Sequence, residues 1–172
     1  MELVTERLVL REYSADDFDA VHRFASDPES SRFVSWGPNT PEQTRGFIDY
    51  WLDDQAATPR TRYTFAITEP GGEPFGSVGI YQEGPHQAET GFVLSRDRWG
   101  AGFATEAGRA VLRFGFEDLG IHRIYATCRP DNVGSWRVLE KMGMSREGLL
   151  RDHILIRGEW HDSLLYAAIA PG

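Results

Sequence analysis

The chain predicts an α+β domain: a mixed, mostly antiparallel sheet of about seven strands with about four helices packed against it. Three observations predict this class. Apolar and polar residues alternate through Tyr63, Phe65 and Ile67, again through Val78 and Ile80, and again through Ile124, Ala126 and Cys128, which is the period of half-buried strands. Short turns rich in glycine and proline, such as Glu69 to Pro74, join the earlier runs and make them antiparallel neighbours. A strand, a glycine turn and a long apolar-faced helix then lead from Glu89 to Ile124, a crossover that makes the strands at its two ends parallel.

Taken in order, Leu8, Val9 and Leu10 between two arginines form the first strand. Ser14 followed by Asp16 and Asp17 signals a helix start, and Phe18, Val21 and Phe24 give that helix an apolar face. Residues 27–41 read as a loop punctuated by Pro28, Gly37, Pro38 and Pro41, yet they carry Phe33, Val34 and Trp36. Apolar rings in a loop either pin it to the core or line a pocket, and both readings stay open. Thr40 caps a second helix with Pro41 at its first position, running through Phe47, Ile48 and Trp51. Strands follow over Tyr63 to Thr68, Phe75 to Tyr81 and Glu89 to Ser95. The helix from Phe103 stops near Leu119-Gly120, and Ile124 to Cys128 is the fifth strand. Val133, Trp136, Leu139 and Met142 recur at helical spacing until Gly143, and Met144 to Ala170 form a hairpin that turns at Arg157-Gly158. No repeat, low-complexity run or linker interrupts the chain, so residues 1–172 are expected to be one domain.

A length of 172 residues suits one domain with a sizeable core, and 41% hydrophobic with 26% charged residues is ordinary globular composition. The formal charge of −8 argues against non-specific nucleic-acid binding and is compatible with a cationic acceptor such as an amine. One cysteine, Cys128, cannot form an internal disulfide and fits a reducing setting. The first residues, MELVTERLVLRE, carry charges every few positions and read as neither a signal peptide nor a membrane span. A cytoplasmic location follows as the expectation.

The chemistry concentrates at WGAGFATEA, Trp99 to Ala107. The first N–H groups of a helix lack intrahelical partners and sit at the positive end of its dipole, so a strand, glycine turn and helix in succession can hold a phosphate. Gly100 and Gly102 let ligand oxygens come close to the backbone. A nucleoside-triphosphate loop needs a lysine and a hydroxyl after its last glycine, where this chain has Phe103 and Ala104. A dinucleotide fingerprint needs a third small residue where Thr105 stands.

The stretch resembles the pyrophosphate-binding motif of the GCN5-related N-acetyltransferases, Gln/Arg-x-x-Gly-x-Gly/Ala, with Trp99, Gly102 and Ala104 at the fixed positions. RPDNVGSWRVLEKMGM, Arg129 to Met144, is similar to the second signature of that family, an Asn-x-x-Ser/Ala segment with a helix ending in Glu-Lys-x-Gly-Phe. Thr5 to Arg11 and Gly158 to Asp162 look like the opening and closing segments of its ribosomal-protein N-terminal acetyltransferase branch, so the likeness spans essentially the whole chain.

This resemblance implies a sheet splayed between the motif strand and the fifth strand, with acetyl-CoA as co-substrate in the gap. It places the cofactor on Trp99, Gly100, Ala101, Gly102, Phe103, Ala104 and Thr105, with Asn132 at the pantetheine and the backbone N–H groups of about Val93 and Leu94 at the thioester carbonyl. Trp99 departs from Gln or Arg, which removes only a side-chain contact because main-chain groups bind the phosphates. Glu89 is the implied general base. Where many members have a tyrosine this chain has Leu139, so Ser135 becomes the proton donor, with release of the thiolate to water as the alternative. Phe33, Trp36 and His153 are the expected acceptor-pocket walls. The acceptor is a peptide N-terminal α-amine or a small amine, and a non-catalytic acyl-CoA sensor stays open as a third reading. No metal, nucleic-acid or membrane partner is expected, and a homodimer is left open. His161 and Asp162 are neighbours on a strand and point to opposite faces, and one cysteine provides no zinc spacing.

Overall fold

In a computed structural model describing residues 1–172, strands β1 (Glu2–Val4), β2 (Val9–Glu12), β3 (Arg62–Thr68), β4 (Gly76–Gln82), β5 (Gln87–Leu94), β6 (Arg123–Cys128), β7 (Ser145–Ile156) and β8 (Glu159–Ile169) form a single sheet. Its order is β1-β2-β3-β4-β5-β6-β8-β7. The helices are α1 (Phe18–Ala25), α2 (Pro41–Ala56), α3 (Phe103–Glu117) and α4 (Val133–Met142). The eighth strand, beyond the seven expected, is β1, whose three residues lie mostly exposed against Val9 to Arg11 and are too few to show a period. Ser14 and the two acids open a short 3-10 turn, Ala15–Asp17, before α1 begins.

Every strand pair is antiparallel except β5 with β6, and that pair is short. Gln87, Ala88 and Glu89 face Arg123, Ile124 and Tyr125, and no pairing between the two strands extends past them. β5 continues to Leu94 with β4 alone beside it, because Gly76 to Gln82 hold the whole of Ala88 to Leu94 in register. The sheet is therefore open on one side of β5 over its last five residues.

Helices cover both faces. On one, α3 lays Ala107, Ala110, Val111 and Phe114 on Ile80, Ala88 and Ile124, forming the larger core. The approach is close: a Cβ at Gly115 would stand 2.5 Å from Ile80 Cδ1 and 2.6 Å from Ile124 Cδ1, so only glycine lets the helix sit across both strands. On the other face α1 and α2 enclose Tyr13, Val21, Phe24, Ile48 and Ala66. Thr40 and Gln43 cap α2 reciprocally, Gln43 N–H donating to Thr40 Oγ1 at 3.3 Å and Thr40 N–H to Gln43 Oε1 at 2.9 Å. The β7–β8 hairpin turns at Arg157-Gly158, both with positive φ (47° and 85°). No helix is long and apolar enough to cross a membrane.

Candidate active site

β5 ends in a turn that prepares an anion site. Gly100 and Gly102 adopt φ of 77° and 82°, in the left-handed region open to glycine, and Gly102 is the N-cap of α3. Trp99 N–H donates to Arg96 and Glu106 N–H donates to Gly102 O at 3.1 Å, but no protein acceptor takes the N–H groups of residues 100–105 between them. Six successive free donors at the positive end of a fifteen-residue helix suit a pyrophosphate. A Cβ at Gly100 would meet nothing, so the turn is open to a ligand.

The turn is held from behind by the residues preceding β2. Glu106 accepts from Thr5 Oγ1 at 2.6 Å, from Arg7 N–H at 2.8 Å and from Arg7 Nε at 2.7 Å, while Arg7 Nη1 donates to Ala101 O at 2.9 Å. Partial burial pushes the Glu106 pKa up, yet these donors outweigh it and hold the carboxyl below its ordinary value. Arg7, Arg109, Arg113 and Lys141 line the groove that leads away from Gly102 and Thr105, a cationic path next to the free donors.

Along β5 the backbone alternates sides. Ser95 N–H donates to Phe75 O at 2.8 Å and Glu83 N–H to Gln87 O at 2.8 Å, so odd-numbered β5 residues turn their backbone groups to β4. Even-numbered residues turn theirs toward the side that β6 leaves. Val93, opposite Ser77, belongs to the β4 ladder. The N–H groups aimed into the gap are those of Phe92 and Leu94, in place of Val93 and Leu94. The Leu94 carbonyl on that side accepts from Trp99 Nε1 at 3.0 Å, so the indole closes the corner between strand and turn, a bond not foreseen from the motif.

Side chains on the odd face of β5 look toward α2, away from α3. Glu89 lies there, half-buried, between Tyr81 on β4 and Tyr125 on β6. Burial raises its pKa first, Glu83 adds to the rise, and Arg62 and Arg129 oppose it. Tyr125 donates to Glu83 Oε1 and Oε2, 2.9 Å from each, so two carboxylates and a phenol mark this end of the sheet. Arg62 lies 3.5 Å from Asp54 and its guanidinium stacks 4.3 Å over the Tyr81 ring.

Across the gap, Asn132 caps α4 and accepts from Ser135 N–H at 3.2 Å. Nearby, burial pushes the pKa of the Cys128 thiol up to about 11. That thiol stays protonated at neutral pH. Leu139 is buried in the core, so its position offers no group to the gap.

The loop between α1 and α2 resolves the two readings of its rings. Trp36 packs on the smaller core and meets Phe47 edge-on at 5.4 Å, so it pins the loop. Phe33 stays half-exposed under the Arg32 guanidinium, 4.9 Å away. His153 stands at the β7 bulge with Nδ1 2.8 Å from Ser163 Oγ. Arg157 at the hairpin tip ties both parts together, donating to Ser31 O at 2.9 Å and Gly37 O at 2.8 Å. Sequence reasoning missed Arg157 and also Arg129, a buried arginine at the end of β6. A cation directly after an alternating apolar run was the available signal for Arg129; nothing local marks Arg157.

A family model described as an acetyltransferase (GNAT) domain matches residues 7–145. The uncharacterized N-acetyltransferase YnaD of Bacillus subtilis is 32% identical over 170 residues, 98% of this chain and 97% of that protein. The [Ribosomal protein uS5]-alanine N-acetyltransferase of Escherichia coli is 34% identical over 86 residues, 50% of this chain and 44% of its own. The crystal structure of a GNAT-family acetyltransferase from Bacillus anthracis superposes with a TM-score of 0.87 at 33% identity, covering 98% of both chains.

Proposed function

The chain belongs to the GNAT acetyltransferase family, and from that premise we propose that it moves the acetyl group of acetyl-CoA to the α-amine of a peptide N-terminus, by direct attack with both substrates bound. The observation that carries the reading is the geometry of β5. One end leads into six free N–H donors, the middle turns two N–H groups into an open gap, and the other end holds a half-buried carboxylate. GNAT acetyltransferases use acetyl-CoA, which supplies an acyl thioester. The protein's part is to bind, polarise and move protons.

Residues 100–105 would hold the pyrophosphate, with the cationic groove beside them serving the nucleotide end. Asn132, as the partly buried cap of α4, would meet the pantetheine. The N–H groups of Phe92 and Leu94 would face the acetyl oxygen as negative charge develops on it, which fixed donors stabilise without reorganising. Glu89, with its pKa raised, is better matched than an ordinary carboxylate to take the proton of the acceptor ammonium, directly or through water. Ser135 would return a proton to the departing thiolate. Phe33 and His153, on parts tied together by Arg157, would wall the acceptor side, with Trp36 pinning the loop behind Phe33. The paired carboxylates Glu83 and Glu89 suit a cationic acceptor, and the similarity to a protein acting on a ribosomal-protein alanine favours a peptide amine over a small one. The single buried thiol accords with a cytoplasmic setting.

Thiol release from acetyl-CoA, followed with a panel of N-terminal peptides, polyamines and aminoglycosides, tests the reading. Peptides should be the best acceptors. Preference for a polyamine or aminoglycoside would replace the acceptor class, and no release with any amine would leave an acyl-CoA sensor.

A further inference from the structure

We propose that Arg129 selects the acceptor by taking a carbonyl oxygen next to the reacting amine, so that the substrate is an α-aminoacyl group and a plain alkylamine or polyamine is disfavoured. The proposal rests on the acetyltransferase reading and adds a specificity residue to it.

Arg129 follows Cys128 at the end of β6 and is only 6% exposed. Strand alternation places it with Tyr125 and Thr127, on the face that carries Glu89 and Ser163, while Ile124, Ala126 and Cys128 point into the core under α3. Its bonding is incomplete. One terminal nitrogen, Nη2, donates to Thr127 Oγ1 at 3.3 Å, the buried Nε has no partner, and no carboxylate comes within ion-pair distance. A buried guanidinium without a counter-ion is costly, and the chain elsewhere pairs Arg11 with Asp17 and Arg60 with Glu12. An arginine kept in this state beside the opening between β5 and β6 is a receptor for an oxygen that arrives with a ligand.

The opposite charge across the opening defines the ligand. Arg129 and Glu89 feel each other electrostatically but do not close into an ion pair, because β5 and β6 part after Glu89 and Tyr125. A group that fits between them presents an amine to the carboxylate and an oxygen to the guanidinium, as an aminoacyl residue does and a polyamine does not. Arg62, the other cation near Glu89, is already beside Asp54 and over Tyr81, which leaves Arg129 for the ligand. A free amino acid and a peptide N-terminus share this chemistry, and only the peptide lacks a carboxylate at that place.

The test compares each variant with wild type on the same acceptor, which cancels differences in amine pKa. Wild type, Arg129→Lys and Arg129→Gln are assayed by thiol release with a short N-terminal alanyl peptide, with free alanine and with isopropylamine, the same amine without the carbonyl. Acetyl-CoA calorimetry reports that each variant is folded. Arg129→Gln should lower kcat/KM for the peptide by roughly 10- to 100-fold, the scale of one charge-assisted hydrogen bond, mostly through KM, and leave isopropylamine unchanged. Arg129→Lys should restore part of the loss. Free alanine above the peptide in wild type would assign the source as an amino acid and still support the carbonyl contact. Equal slowing of all three acceptors, or no change in any, overturns the proposal: Arg129 then acts on the transferred group, on the fold or on nothing. Failure of wild type to release thiol with every acceptor removes the acetyltransferase reading itself.

Discussion

Arg7→Ala should weaken acetyl-CoA binding although Arg7 is not one of the six free N–H donors. Two losses add. The hydrogen bond from Nη1 to Ala101 O braces the turn from behind, and a bond of this kind contributes about 1 kcal/mol. The ion pair with Glu106 is 2.7 Å long, but Arg7 is 44% exposed, so solvent screening limits it to roughly 0.5–1 kcal/mol. Its loss also leaves the Glu106 carboxylate uncovered in the first turn of α3, where an incoming phosphate would be repelled. The sum, about 1.5–2 kcal/mol, corresponds to a Kd raised on the order of 10- to 30-fold. Titration calorimetry with acetyl-CoA measures it, and kcat at saturating acetyl-CoA should hardly move. Arg7→Ala combined with Glu106→Gln should regain part of the affinity by removing the exposed charge. A Kd within twofold of wild type for the single variant would refute the brace.

Glu89→Gln should do two opposite things. Its kcat/KM should fall by about 10²–10⁴ at neutral pH and recover as pH climbs through the pKa of the acceptor amine. A carboxyl whose folded pKa is raised destabilises the fold above its unfolded pKa, so the variant should melt higher at neutral pH and lose this gain below the ordinary carboxylate range. A lower melting temperature at neutral pH would contradict the raised pKa, and unchanged rates from roughly pH 6 to 9 would make Glu89 a bystander. Ser135→Ala should lower kcat and spare acetyl-CoA affinity, whereas Asn132→Ala should weaken that affinity and also destabilise α4 by about 1 kcal/mol through the lost cap; equal affinity losses reassign the serine to binding. Arg157→Ala should raise the acceptor KM several-fold with acetyl-CoA binding unchanged, because it releases Ser31 and Gly37 from the hairpin tip; an effect on cofactor affinity alone would contradict that.

The parts legible in the sequence were those governed by local rules. Alternation and glycine turns marked the inner strands, Thr40 with Pro41 marked α2, and Arg157-Gly158 marked the hairpin tip. The turn from Gly100 to Thr105 was visible because its function depends on backbone geometry that only glycine permits. What stayed hidden depended on chain segments far apart in sequence. Glu106 carries no signal of its own in the sequence, and it is gripped by Thr5 and Arg7, about a hundred residues earlier. β1 was too short to have a period. Val93 and Phe92 are adjacent in the sequence, and only the register against β4 decides which of them turns its N–H into the gap. Arg129 reads as a strand-end charge until its burial and missing partner are seen.

β5 serves three customers at once: its odd side chains, Glu89 among them, face the side of α2, its even side chains anchor α3, and its even backbone groups face the open gap. These assignments are all set by parity, so they shift together. A single-residue insertion between Glu89 and Leu94 would exchange every inside and outside role on the strand beyond it, exposing core side chains and turning the gap donors into β4. A two-residue insertion would preserve parity but lengthen the spacing from Glu89 to the Gly100 turn by about 6.5 Å. In the proposed reaction, length along this strand would act as a ruler between the two substrates, and the chain could vary the loop between α1 and α2 or the β7–β8 hairpin far more freely than the count of residues from Glu89 to Gly100.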